Sequence, residues 1–236
     1  MTCENCQATL SQNYCPNCGR AARVPKINFD YLTSEVGEIL ILEKGFFFTV
    51  KELLLRPGDN VRRFILKDRS RLLKPILFIV MTSLIYSLLN YYFPFEAKYN
   101  KTSTVENYET KINSWVMANY GYSNLMMGVF IAYFTKLFFR KSGYNIFEIL
   151  ILICYTMGMA MLLLGIFRFL DNRTDLPFMA IGGIVGMMYI SWANGQFFGK
   201  KFRNYWKAFA AYIIGTVTFF LAVFLLGNAL DVIFRA

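Results

Sequence analysis

Residues 75–93, PILFIVMTSLIYSLLNYYF, decide the fold, because they run for 19 positions without a charged side chain. An α-helix needs about 20 predominantly apolar residues to cross the hydrocarbon core of a bilayer, so this stretch predicts a membrane-spanning helix. The rest of the chain contains four further apolar segments, at about 118–139, 146–167, 176–198 and 208–230. The sequence therefore predicts an all-α polytopic membrane protein, with a bundle of five transmembrane helices within residues 75–236.

The composition agrees with this prediction. The chain has 236 residues, of which 56% are hydrophobic and 17% charged, whereas soluble domains carry about 25% charged residues. The apolar residues lie in long blocks after Lys74. The sequence contains no histidine, which excludes catalytic triads based on histidine, imidazole metal ligands and imidazole proton relays.

The distribution of positive charge predicts how the chain crosses the membrane. Nineteen of the 25 Lys and Arg residues lie before the first span, at the connection of the second and third spans, or between the fourth and fifth. Cytoplasmic segments are enriched in Lys and Arg, so the N-terminus is predicted in the cytoplasm and the C-terminus outside. The second span is the weakest because it contains Lys136, but omitting it would place the basic residues 200–207 outside.

Four of the first 18 residues are cysteines in two C-x-x-C pairs. Two such pairs can complete a tetrahedral shell of four thiolates, which is typical of structural zinc, and a rubredoxin-like iron site remains an alternative. With every coordination position filled by protein, the metal would stabilise the fold rather than catalyse a reaction. We therefore expect residues 1–24 to form a cytoplasmic zinc ribbon whose ligands are Cys3, Cys6, Cys15 and Cys18.

Residues 25–74 form a basic segment with the spacing of amphipathic helices. Apolar residues recur at helical intervals, and the sequence Arg56-Pro57-Gly58-Asp59 predicts a break, after which Asp59 or Asn60 would cap a second helix. Such helices can lie on an anionic inner leaflet, which also accounts for the net charge of +10 without nucleic acid. The expected lipid-contacting residues are Lys51, Arg56, Arg62, Arg63, Lys67, Arg69, Arg71 and Lys74.

The segments YCPNCGR, residues 14–20, and LEKGFFFTVKELLLRPGDNVRRFILKDRSRLLKPILFI, residues 42–79, resemble a family of bacterial membrane proteins. This family is common in Bacteroidetes and carries a short N-terminal ribbon, an R-P-G turn and several spans. The resemblance covers roughly residues 1–90 and implies a bacterial inner-membrane protein. It brings no activity and no residue roles beyond the four metal ligands.

Small residues four positions apart in the fourth span predict close helix packing, within one chain or between two copies. These are the pairs Gly182 and Gly186, and Gly195 and Gly199.

The leading functional hypothesis is a non-enzymatic adaptor or assembly factor whose ribbon docks a protein partner. The alternative is a small transporter or channel subunit, with Glu148, Asn194 and Gln196 near a pathway, since polar residues inside a bilayer are candidates for function. A structural role for Glu148 would pair it with Lys136 or Arg140 instead. An enzyme is disfavoured because the sequence lacks histidine, a phosphate-binding loop and a nucleophile elbow.

Overall fold

The computed structural model describes residues 45–93, 108–171 and 178–235, together with the isolated positions Thr9 and Asn17. The chain divides into two units after Lys44, and every helix described below belongs to the second unit, Gly45–Ala236.

The three described ranges consist of helices and the turns between them, with no β-strand, which confirms the all-α prediction. The helices are α1 (45–55), α2 (Pro57–Leu66), α3 (Pro75–Tyr92), α4 (Tyr108–Ala118), α5 (Tyr120–Phe138), α6 (Ile146–Asp171), α7 (Phe178–Phe197) and α8 (Phe202–Arg235).

All five predicted spans coincide with helices, and four of the helices in the described ranges are long and apolar enough to cross a membrane. These four are α3, α6, α7 and the part of α8 up to Leu230. Helix α5 has 19 residues, but its first turn is polar and Lys136 lies in its last turn, so its mean hydropathy is lower. By length and composition, four of the five expected spans are therefore shown, and the crossing by α5 stays a prediction.

The segment between the first two predicted spans contains a helix that the sequence analysis did not predict. Residues 108–118 form α4, which packs against α8. Only Asn119 separates α4 from α5, and the Ser123 hydroxyl donates a hydrogen bond to the Val116 carbonyl across this break at 3.0 Å. Val116 is buried. The helix was missed because many polar residues lie between the few apolar residues of this segment.

Helix α6 lies at the centre of the bundle, in contact with α2, α3, α5 and α7. It is apolar on all sides, as expected for a helix surrounded by other helices, and its Leu152, Tyr155 and Met159 are almost completely buried. Helices α3 and α8 lie further out and expose large apolar side chains, among them Leu84 and Leu221. An apolar exterior of this extent is what a bilayer requires.

The connections between helices gather at two opposite ends of the bundle. At one end, the Arg168 guanidinium near the end of α6 donates to the Phe93 carbonyl just after α3, at 2.7 Å. At the other end, the rings of Phe139 and Phe198 stack with centroids 3.8 Å apart. We call this second end, formed by residues 45–74, 136–148 and 198–207, the basic end. It contains 15 Lys and Arg residues and four carboxylates.

Close packing of α7 on α8 yields a first prediction. A Cβ atom at Gly195 would lie 2.3 Å from Cδ1 and 2.9 Å from Cα of Tyr205. We therefore expect Gly195→Ala to destabilise the bundle by about 1–3 kcal/mol, the usual cost of overpacking, and to lower the thermal unfolding temperature in detergent.

Gly186→Ala is the matched control on the same helix. Its added Cβ would meet Ala160 Cβ at 3.8 Å, an ordinary van der Waals contact. The control should unfold within about 0.5 kcal/mol of the unmodified protein. Equal unfolding temperatures for the two variants would contradict the packing of α7 on α8.

Candidate functional site

The most strongly connected polar site in the described ranges is where residues 45–74, here called the juxtamembrane hairpin, meet the bundle. Helix α2 begins at Pro57 with Arg56 as its N-cap, three residues before Asp59, so neither Asp59 nor Asn60 caps the helix as predicted. Proline suits this position because the first amide of a helix has no partner to lose. Asn60 instead donates its side-chain amide to the Glu52 carbonyl at 2.8 Å, which joins α2 to α1.

Gly58 is the point of closest approach between the hairpin and α7. Its amide donates to Gln196 Oε1 at 2.7 Å in a buried setting. A Cβ atom at Gly58 would lie 2.3 Å from the Phe197 nitrogen and 2.7 Å from the Ala193 carbonyl oxygen. Because these neighbours are backbone atoms that cannot swing away, only glycine fits without displacing one of the two helices.

Charged side chains of α2 complete the contact with the end of α7. The Arg62 guanidinium donates to the Phe197 carbonyl and, at 3.3 Å, to the Gln196 carbonyl. The last carbonyls of a helix lack intrahelical partners and attract positive charge. Asp59 forms a salt bridge with Lys200 just beyond α7, at 2.7 Å. Helix α2 thus caps the C-terminus of α7.

The apolar face of α2 is buried on the bundle. Val61, Phe64 and Ile65 are almost inaccessible, and the Phe64 ring lies 5.6 Å from the Tyr155 ring of α6. The amphipathic helix was expected to place this face in the inner leaflet. In the structure it packs against α6 and α7 instead, since protein covers an apolar stripe as well as lipid does.

The basic residues of the hairpin fall into two groups. Arg62 binds α7, and Arg71 forms a salt bridge with Glu52 of α1 at 2.6 Å. The remaining six are exposed, namely Lys51, Arg56, Arg63, Lys67, Arg69 and Lys74.

The chain returns from α2 to α3 through a hydrogen-bonded turn. The Ser70 hydroxyl and amide both donate to Asp68 Oδ1, at 2.6 and 3.0 Å, and these two bonds hold the pKa of Asp68 below its usual value. The Leu73 amide then donates to Thr49 Oγ1 of α1 at 2.9 Å. The turn therefore closes the hairpin onto its own first helix.

Two tyrosines from the bundle bind the backbone of the hairpin. The Tyr155 hydroxyl of α6 donates to the Leu73 carbonyl at 2.6 Å, and the Tyr189 hydroxyl of α7 donates to the Leu53 carbonyl at 3.0 Å. Both tyrosines are buried. Sequence reasoning missed them, and the only signal was a phenol inside an apolar span, where a buried hydroxyl needs an acceptor.

The three residues considered for transport have different surroundings. Glu148 accepts from the Asn145 amide at 2.8 Å, while Asn145 Oδ1 accepts from the Glu148 amide at 2.9 Å. This reciprocal pair is a capping box at the start of α6, so the expected partners Lys136 and Arg140 were wrong. Gln196 binds Gly58 as described above. The Asn194 side chain is 1% exposed, and neither its Nδ2 nor its Oδ1 has a hydrogen-bond partner.

The four glycines singled out for packing lie in three settings. A Cβ at Gly182 would come within 2.7 Å of Phe167 Cβ on α6, whereas Gly186 and Gly195 face Ala160 and Tyr205 of the same chain. Gly199 lies beyond the end of α7 with φ +103°, a left-handed conformation that favours glycine. It terminates the helix rather than packing against a neighbour.

The predicted metal ligands Cys3, Cys6, Cys15 and Cys18 lie outside the described residues. Within the described ranges, no group of three or more His, Cys, Asp or Glu side chains could hold a metal ion. The zinc prediction thus depends on the four cysteines alone.

The chain was compared with models of known protein families. A family model described as the Yip1 domain matches residues 51–230. The chain belongs to the Yip1 domain family. Together with its apolar helices, this makes it a multi-pass membrane protein. The Yip1 domain begins inside α1 and includes α2, so most of the juxtamembrane hairpin is part of the family's own region.

The match leaves the four cysteines outside the Yip1 domain, and it supports neither the N-terminal ribbon nor a restriction to Bacteroidetes. No curated protein and no solved structure matches the chain.

The contact at Gly58 gives the second prediction. Gly58→Ala should push α2 away from α7 at a cost in docking free energy near the lower end of the usual range of about 1–3 kcal/mol. A cost of about 1.4 kcal/mol raises the undocked population about tenfold. The variant should therefore be cut by trypsin in the stretch 62–71 about ten times faster than the unmodified protein in detergent, while the fragment starting near Pro75 remains intact.

Gly45→Ala is the control, since a Cβ at Gly45 meets nothing within 4 Å. Its digestion rate should equal that of the unmodified protein. If Gly58→Ala is digested no faster than this control, the hairpin is not held by the contact with α7.

Proposed function

We propose that this protein is a non-enzymatic membrane adaptor, in which the helical bundle anchors a short N-terminal docking module. One observation supports this above the others, the attachment of residues 45–74 to α6 and α7. Hydrogen bonds to Gly58, Leu53 and Leu73 use backbone groups of the hairpin, so they fix the path of the chain. A segment fixed in this way suits a module that must hold a partner at the membrane.

The docking module is the zinc ribbon proposed for residues 1–24, with Cys3, Cys6, Cys15 and Cys18 as ligands. A closed shell of four thiolates supplies folding free energy to a segment that is too short for a hydrophobic core. The partner is a cytoplasmic protein that contacts the ribbon. The six exposed basic residues of the hairpin rest on the anionic inner leaflet.

The proposed location is a bacterial inner membrane with the basic end in the cytoplasm. The charge of the basic end supports this orientation through the enrichment of Lys and Arg on cytoplasmic segments. Helix α5 serves as the fifth crossing, since its 19 residues measure about 28 Å at about 1.5 Å per residue, close to the hydrocarbon thickness of about 30 Å. The C-terminus then lies outside.

A transporter or channel subunit is the second candidate, and Asn194 is the observation that favours it. A buried amide without partners would bind a water molecule or a small polar solute well, because leaving it unpaired is costly. Glu148 and Gln196 already bind within the protein, which favours the adaptor.

The ribbon gives the third prediction. The unmodified protein, purified without chelator, should contain one zinc ion per chain by elemental analysis, and Cys15→Ser should lose it while thermal unfolding of the bundle is unchanged. Crosslinking in native membranes, followed by purification, should recover a cytoplasmic partner with the unmodified protein and not with Cys15→Ser.

Glu148→Gln is the matched control for the functional assay in cells. It disturbs an exposed cap, which costs about 1 kcal/mol or less, so function should be retained, whereas deletion of residues 1–20 should abolish function. If Asn194→Leu or Glu148→Gln abolishes function at normal protein level while the deletion has no effect, the transporter replaces the adaptor.

The orientation gives the fourth prediction. A reporter fused after Ala236 should be active on the outer side, and one fused at Lys200 should be active in the cytoplasm. A reporter that is cytoplasmic after Ala236 and on the outer side at Lys200 would mean that α5 does not cross and that the chain has four spans.

A further inference from the structure

A cleft at the basic end, separate from the hairpin site, is lined by positive charge without a matching acid. It has a volume of about 700 Å³ and lies between the last turn of α5, the connection that follows it and the first turns of α8. Its lining includes four cations and no carboxylate, the cations being Arg140, Lys141, Arg203 and Lys207.

Within the described ranges these four cations form no salt bridge. Lys207 is held at the base of the cleft, with Nζ 5.8 Å from the centre of the Phe139 ring and 3.4 Å from the Phe138 carbonyl oxygen. The other three are exposed. Four like charges around one cleft repel one another, and a bound anion would relieve that repulsion.

A neighbouring cleft shows that this arrangement is not general at the basic end. The cleft lined by Arg62, Arg63 and Lys67 also contains Asp59 and Asp68, so its cations have acidic neighbours. The cleft between α5 and α8 instead lies beside the N-terminus of α8, a helix with no acidic residue in its first turn. The free amides and dipole of a helix N-terminus add to the attraction for an anion.

An exposed apolar surface leads away from the cleft along α5. It begins at Leu137, which also lines the cleft, and its members recur at helical spacing on one face. They are Tyr122, Met126, Val129, Tyr133 and Leu137, all of them exposed. A ligand with both a phosphate group and acyl chains would match the charged cleft and this apolar stripe at once.

We propose that the cleft binds the phosphate group of an anionic phospholipid whose acyl chains lie along the apolar stripe of α5. Basic pockets between transmembrane helices are suited to such headgroups. The volume is also in the range of small-molecule sites. This site differs from the leaflet contact of the hairpin because it selects one lipid molecule through a cleft instead of attracting a charged surface.

Trp206, which is exposed and adjacent to Lys207, provides a reporter for the test. In the full chain carrying Trp115→Phe and Trp192→Phe, reconstituted in phosphatidylcholine vesicles, fluorescence quenching by brominated phosphatidylglycerol is compared with quenching by brominated phosphatidylcholine. Removal of one nearby cation weakens anionic lipid binding by about fivefold. We therefore expect a preference for phosphatidylglycerol of at least about fivefold.

Two variants remove the cations of the cleft, Arg203→Gln with Lys207→Gln, and Arg140→Gln with Lys141→Gln. Both residues of the second pair are exposed, so this variant tests the site even if the first pair fails to fold. Both should reduce the preference to about twofold or less. The control, Arg63→Gln with Lys67→Gln, removes the same charge from the neighbouring cleft and should keep the preference.

Three results would overturn the proposal. The first is equal quenching by the two lipids, and the second is an equal loss of preference in the control pair, which would indicate general surface charge. In the third, millimolar inorganic phosphate at constant ionic strength abolishes the preference, which would make the ligand a soluble phosphate compound. Persistence of the preference in phosphate supports the lipid.

Discussion

The end of α7 sets the requirement that organises the basic end of the bundle. A helix that stops leaves its last carbonyls without partners, and near a membrane water is a less available substitute than at a soluble surface. In this protein Arg62 supplies donors to two of these carbonyls. Asn204 supplies one to the Phe198 carbonyl at 2.9 Å, just beyond the helix. The hairpin is therefore part of the termination of α7.

This requirement explains why the R-P-G sequence is suited to its position. Pro57 has no amide N–H, so no donor is left without a partner where α2 begins. Gly58 lets the backbone of α2 approach the backbone of α7. Arg56 is exposed and is not used in this contact. The close approach then brings Arg62, one turn further along α2, to the carbonyls at the end of α7. A bulkier residue at position 58 would push α2 away from α7. Both the hydrogen bond of Gly58 to Gln196 and the contacts of Arg62 therefore depend on this one position.

The spans could be predicted from sequence because their signal is local. Long, predominantly apolar runs give α3, α6 and α7 to within a few residues at most ends, and composition alone is sufficient for this. The docking of α2 could not be predicted in the same way. Its apolar spacing is identical whether Val61, Phe64 and Ile65 face lipid or protein, and the deciding partner, Gln196, lies 138 residues from Gly58. The capping role of Glu148 could have been recognised from the sequence, because its partner Asn145 lies only three residues before it.

The distance along the chain between α2 and α7 relates the predicted contact of α2 with the leaflet to its observed contact with the bundle. Gln196, Phe197 and Tyr189 belong to the fourth predicted span, so α2 cannot dock until that span is in the membrane. Before then, the part of the apolar face of α2 that contacts α7 has the leaflet as its available cover, and the basic residues of α2 suit an anionic surface. Once α7 is present, backbone hydrogen bonds to Gly58 and Leu53 become available, which a lipid surface cannot provide. Sequence amphipathicity thus describes the segment on its own, and the complete bundle decides where that segment lies.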